Sequence, residues 1–227
     1  MLKRILQNFM PYTCVLCHAR SDQSMDLCSS CQRDLPYWQH GCYKCGTYLD
    51  GYEKICGSCL RGDPPFDYTF ALCNYVAPIT KLILDLKFQH QLIYAKILGK
   101  LMAKKLKHRS EKLPQCIIPV PLSKKRLRER GFNQALELAK PTGKYLHIPI
   151  EVNCCWRTRH TEAQAMLLAK HRHKNIKNAF VVKQKFKAKH VAIVDDVVTT
   201  GHTVRELSRV LRKSGVERIE IWCCAKT

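Results

Sequence analysis

Apolar and polar positions along this chain follow two rhythms. Short apolar runs at 68–76, 116–121, 191–194 and 217–224 read as buried strands, and weaker ones near 148–154 and 179–182 as further strands. Between them the spacing becomes helical. Ile93, Ile97 and Leu101 share one face of a segment at 91–108, with Tyr94, Leu98 and Met102 beside them. Helices are also expected at 79–88, at 133–146 and after 203, where Val204, Leu207, Val210 and Leu211 recur at helical intervals. Strands alternating with amphipathic helices predict an α/β fold, a mostly parallel sheet flanked by helices.

Residues 1–62 break this pattern. Their apolar side chains are few and scattered, among them Leu16, Leu27, Leu35, Trp38, Tyr43 and Tyr48. What repeats there is cysteine. The pairs are Cys14/Cys17, Cys28/Cys31, Cys42/Cys45 and Cys56/Cys59, with two residues inside each pair and ten between successive pairs. A two-residue gap lets both thiolates face one ion, and four thiolates complete a tetrahedral zinc site. The eight cysteines predict two structural zinc ions. Sequential and cross-braced pairing use the same residues, and spacing does not choose between them. Without metal such a module has little to fold around. Arg61-Gly-Asp-Pro-Pro65 then stops regular structure and reads as a linker. The expected organisation is a small double zinc-ribbon module at 1–62 and an α/β domain at 63–227. Cys73, Cys116, Cys154, Cys155, Cys223 and Cys224 fall in or beside apolar strands and read as small buried hydrophobes.

Charge adds a partner to this picture. The 227 residues hold 39 Lys and Arg against 18 Asp and Glu, a formal net charge of +21. That excess is larger than solubility requires and calls for an anion: nucleic acid, an acidic membrane surface or polyphosphate. The fourteen cysteines follow no signal-peptide pattern, and no apolar run has transmembrane length. A reducing cytoplasm and metal ligation are therefore expected rather than disulfides. Leu2, Ile5, Leu6 and Phe9 could line one helix face beside Lys3 and Arg4. That leaves room for a peripheral position at the inner membrane, although docking on the protein itself is the plainer use.

Candidate chemistry concentrates at 191–203. The apolar run ends in two carboxylates, Asp195 and Asp196. A turn of Thr199, Thr200, Gly201, His202 and Thr203 follows, and then a helix. Backbone N–H groups of a Gly-containing turn at a helix N-terminus attract phosphate, and threonine hydroxyls add donors. Paired carboxylates repel phosphate but accept hydrogen bonds from two neighbouring hydroxyls, as on a ribose edge. A ligand with a 5′-phosphate and free 2′- and 3′-hydroxyls fits both halves, beyond the carboxyl ends of the strands. Lys124, Lys125, Arg126 and Arg130 follow the strand at 116–121, with Asn133 as a helix cap and Gln134 after it. Arginine forks suit pyrophosphate oxygens. Residues 156–178, with Arg157, Gln164, Arg172 and Asn175, are basic and poor in core residues. They read as a loop and short helix that close over the site as a lid.

The 191–203 stretch resembles the phosphoribosyl-pyrophosphate motif of the type I phosphoribosyltransferase family. The resemblance implies that Asp195 and Asp196 hold ribose hydroxyls and that 199–203 holds the 5′-phosphate, with Mg²⁺ on the pyrophosphate and ribose oxygens. The cysteine pairs, Pro119-Val-Pro121, Arg130-Gly-Phe-Asn-Gln134, Arg157 through Gln164, and Arg172 with Asn175 occur together with it. That combination resembles the ComF family of competence proteins, with its ComFC and GntX branches. It implies a bacterial protein that handles incoming single-stranded DNA in natural transformation, with membrane-associated DNA-uptake machinery as a partner. Two alternatives come with it: an active phosphoribosyltransferase of nucleotide salvage, and a GntX-like role in gluconate utilisation. No segment reads as the site for a particular acceptor base. The expectation is ligand binding, with catalysis and oligomeric state unassigned.

Overall fold

Every second residue of a strand faces the same side of its sheet, and here both sides are apolar. In the strand His190–Val198, Val191 and Ile193 join one buried cluster while Ala192 and Val194 join another. In Arg218–Lys226, Ile219, Ile221 and Cys223 oppose Trp222 and Cys224 in the same way. Strands buried on both faces need cover on both, the usual setting of a parallel sheet. The computed structural model describes residues 11–158, 179–182 and 186–227. Its main sheet runs in the order β1 (Tyr68–Asn74), β6 (Arg218–Lys226), β5 (His190–Val198), β2 (Cys116–Pro119), with each neighbouring pair parallel. A separate antiparallel pair joins β3 (Cys155–Arg157) to β4 (Phe180–Val182).

Helices α3 (Ile79–Phe88), α4 (Leu92–Lys107) and α6 (Gln134–Leu146) cover the Trp222 face through Ile83, Leu86, Leu98, Leu101 and Leu138. On the other face α7 (His202–Lys213) packs Val204, Leu207 and Leu211. The basic run forms α5 (Lys124–Arg130), which buries none of its residues. Its start is capped by Ser123, whose hydroxyl accepts the Arg126 N–H. The short helices α1 (Ser29–Arg33) and α2 (Gly57–Arg61) lie in the cysteine region.

That region straddles the β1 edge, one half on each face of the sheet. Cys14, Leu27 and Leu35 join the Trp222-side cluster, whereas Cys42, Cys45, Cys56 and Cys59 join Phe66 and Ala71 on the other side. The chain passes between the halves across the edge strand. There the Trp38 N–H donates to the Leu72 carbonyl at 3.0 Å, and the Asn74 N–H to the Pro36 carbonyl at 2.8 Å.

Three expectations change. The strand expected at 191–194 continues to Val198, because β6 pairs with it as far as Val198 beside Lys226. The acid pair thus sits inside paired strand rather than after it. The strand expected near 148–154 shrinks to one bridge between Ile150 and Ile117. Pro149 has no N–H to give, and residues 151–153 are exposed, so no face is left to bury. Finally, Phe180–Val182 pairs with β3 and does not complete the main sheet.

Candidate functional site

Two sets of four cysteines close on themselves. The sulfurs of Cys14, Cys17, Cys28 and Cys31 all lie within 4.8 Å of one another, and so do those of Cys42, Cys45, Cys56 and Cys59. Cys17 and Cys28 are 3.8 Å apart, and Cys45 and Cys56 3.6 Å. A zinc–sulfur bond of about 2.3 Å gives a tetrahedron edge of about 3.8 Å, so both sets fit zinc. The Cys31 N–H points at Cys28 Sγ (3.5 Å) and the Cys56 N–H at Cys42 Sγ (3.3 Å). Pairing is sequential, and the cross-braced alternative drops out. Four protein ligands at each centre leave no open position, which is the structural type of site.

A second constellation forms at the carboxyl end of the sheet. Successive side chains on β5 alternate, so Asp195 and Asp196 leave on opposite sides. Asp196 is 8% exposed, and Lys87 Nζ at the end of α3 meets its Oδ2 at 2.9 Å. Asp195 Oδ1 accepts the Asp196 N–H at 2.9 Å, and Asp196 Oδ1 accepts the Val197 N–H at 2.7 Å. Burial, and then the charge of Asp196, push Asp195 up to about 7. An ionised Asp195 is therefore short of donors, which hydroxyls would supply.

Asp195 lines a hollow of about 40 Å³ together with Thr199, Thr200, Gly201, His202 and Thr203. Gly201 precedes α7 with φ of 72°, a left-handed setting that costs other residues about 1–2 kcal/mol. The first-turn N–H groups of α7 lack intrahelical acceptors, and the positive end of the helix dipole lies there. Guanidinium groups approach from α5 and β3. Arg130 feels the charges of Asp196 and Asp195, and Arg157 that of Asp195. Burial holds both arginines below their ordinary range, and the nearby Arg126 charge lowers both further. Like charges crowded in this way are relieved by an anion. Carboxylates, a turn suited to phosphate and a guanidinium cluster thus meet at one end of the sheet.

Known proteins match both halves of this description. A double zinc ribbon domain matches residues 5–60, and a phosphoribosyl transferase domain matches residues 159–226. Competence protein F of Haemophilus influenzae is 38% identical over 97% of this chain and 100% of its own length. The chain belongs to the competence protein F family. DNA utilization protein YhgH of Escherichia coli (strain K12) is a further relative, 35% identical over 88% of this chain and 90% of its own. Among solved structures, adenine phosphoribosyltransferase from Leishmania tarentolae aligns with 14% identity and a TM-score of 0.41, covering 70% of this chain and 77% of its own.

In this member of the competence protein F family the expected site residues divide. Asp195, Asp196 and the 199–203 turn share one region with Arg126, Arg130 and Arg157. Lys124 and Lys125 instead project into solvent from α5, with Lys125 4.0 Å from Glu129. Asn133 caps α6: it accepts the Ala135 N–H at 3.0 Å and donates to the Val120 carbonyl at 3.0 Å. Its amide is thereby committed at both ends. Gln134 is buried, and its Nε2 has no hydrogen-bond partner among the described residues. Gln164, Arg172 and Asn175, with residues 159–178 of the expected lid, lie outside the described residues, as does the expected N-terminal helix face. The start of that expected loop, Trp156 and Arg157, is instead strand β3, paired with β4. Two residues join the site that pattern reading passed over. Lys87 follows Ile83 by four on the buried stripe of α3, and a cation on an apolar stripe was its signal. Lys226 is buried, and its Nζ donates to the Thr199 carbonyl at 2.9 Å, bracing the turn.

Proposed function

We propose that this protein handles single-stranded DNA during DNA uptake and binds phosphoribosyl pyrophosphate at its acid pair. One observation carries the ligand half: Asp195, Asp196, the 199–203 turn and three arginines converge at one end of the sheet. In this reading the ribose 2′- and 3′-hydroxyls donate to Asp195 and Asp196, and the turn takes the 5′-phosphate. Arg126, Arg130 and Arg157 face the pyrophosphate, and Lys87 holds Asp196 in place. Mg²⁺ accompanying the pyrophosphate supplies further neutralisation of its charge. The DNA half is supported by the net charge of +21 and by relatives whose names refer to competence and DNA utilisation rather than to gluconate. No described helix is long and apolar enough to cross a membrane, and a cytoplasmic location fits the eight thiolates.

Calorimetry with phosphoribosyl pyrophosphate and Mg²⁺ tests the site. The double variant Asp195→Asn/Asp196→Asn keeps the shape but not the charge, and should bind at least about tenfold more weakly, the loss expected when charge-assisted hydrogen bonds become neutral ones. Unchanged affinity in a folded double variant contradicts the assignment. The intact acid–turn–arginine set also suits a transferase, and pyrophosphate release in the presence of a panel of bases distinguishes that reading.

A further inference from the structure

A cavity of about 730 Å³ opens at the β1 edge, where the cysteine region crosses from one face of the sheet to the other. Its size falls in the range of ligand cavities. Two aromatic residues of its lining, Trp38 and Tyr43, are each held by a backbone hydrogen bond to β1. The Trp38 N–H donates to the Leu72 carbonyl, and the Tyr43 carbonyl accepts the Thr69 N–H, both at 3.0 Å. Tyr68 and Phe70 supply wall from β1, and Tyr52 stands at the rim. Two of these rings stay open: Tyr43 is 40% exposed and Tyr52 is fully exposed, whereas Trp38, Tyr68 and Phe70 are half-buried. Gly41 makes room for the indole, since a Cβ there would come within 2.3 Å of Trp38 Nε1. The Tyr43 and Tyr68 rings lie side by side, centroids 4.7 Å apart.

Cations flank these rings. Lys54 lines the cavity. Arg109 lies over the Tyr68 ring at 5.5 Å, although its guanidinium is buried and held by Glu220, and Lys105 lies over the ring of Tyr37, outside the cavity lining. Glu53 also lines the cavity, and Glu111 lies 3.5 Å from the Tyr43 hydroxyl, so the cavity itself is no phosphate pocket. Open aromatic faces beside Lys54, on a chain of net charge +21, suit unpaired bases whose backbone runs along the rim. Bases inside a duplex cover one another's faces and have none to offer.

We propose that this cleft seats unpaired bases of a single-stranded nucleic acid. The inference rests on the DNA reading above and gives it a place of its own at the β1 edge, two strands over from the acid pair.

The test is polarisation of labelled oligo(dT) against the zinc-loaded full-length protein over a series of salt concentrations. Stacking carries no counterion release, so Tyr52→Ala should weaken binding about tenfold at every salt, with the log–log salt slope unchanged. Tyr52→Phe keeps the ring and should bind as the wild type does. Tyr43→Ala, checked for zinc content and folding, should behave like Tyr52→Ala. Wild-type affinity in both alanine variants overturns the cleft while leaving the DNA reading intact. A loss that comes with a shallower slope also overturns it, because it marks an electrostatic effect. If the wild type does not bind oligo(dT) at all, the DNA reading itself falls, and the cleft with it.

Discussion

Asp195 sets stability against the proposed ligand binding in a single side chain. Its folded value of about 7 lies above the unfolded value of about 3.9. Between those values the unfolded chain gives up this proton first, so the residue's contribution to stability falls as pH rises from about 4 to about 7. Asp195→Asn removes that penalty and can still accept the Asp196 N–H. After discounting for partial exposure, it should stabilise the fold by about 1–2 kcal/mol at pH 8 while weakening the phosphoribosyl ligand. Urea unfolding at pH 5 and pH 8 measures the difference, and a variant no more stable than wild type at pH 8 contradicts it. Glu220 behaves in the opposite sense. Burial would raise it, but hydrogen bonds from Arg109 (2.5 and 2.6 Å), His190 (2.9 Å) and Trp222 (2.9 Å) win, and it falls to about 2. Its contribution is complete above about 4.3 and is lost as pH drops toward 2. Glu220→Gln leaves Arg109 without its buried partner and should cost about 3–5 kcal/mol in a urea melt at neutral pH. The two cases also differ in legibility. The acid pair can be read directly, because strand, carboxylates and turn are contiguous. Glu220 in an apolar run looks like an interruption, since Arg109 and His190 reach it from 111 and 30 residues away.

At the scale of elements, hydrophobic period carried most of the architecture. Helices Ile79–Phe88 and Leu92–Lys107 fall within a residue of where apolar spacing puts them. Periodicity failed where backbone chemistry decides, as at Pro149, and where pairing is a choice between partners, as for Phe180–Val182 with β3. The cysteine region was legible for the opposite reason: metal geometry, not burial, dictates its spacing. Two zinc ions per chain are expected by elemental analysis of protein purified without added metal, and less than half an equivalent contradicts the site. Because the two halves clamp the β1 edge, chelation should also speed hydrogen exchange at the Asn74 amide, whose acceptor is the Pro36 carbonyl. Unchanged protection there would mean that the edge stands alone. In the 199–203 turn, Gly201→Ala meets a φ of 72° and should cost about 1–2 kcal/mol, read as a lower melting temperature; affinity for the proposed phosphoribosyl ligand should fall alongside it.

Over the whole molecule, the net charge of +21 outweighs any single contact. Composition made an anionic partner legible, but neither charge nor periodicity could show that Trp38 and Tyr43 frame one cavity, because strand β1 brings them together only after folding. Electrostatics alone attracts single strands and duplexes alike; open aromatic faces favour the single strand. The most direct test of the account is polarisation of labelled single-stranded and duplex oligonucleotides with the zinc-loaded wild-type protein, from low to physiological salt. The single strand should bind more tightly throughout, with affinity falling along a log–log slope of about −0.7 for each phosphate neutralised. Equal affinity for the two forms, or a flat response to salt, would contradict it.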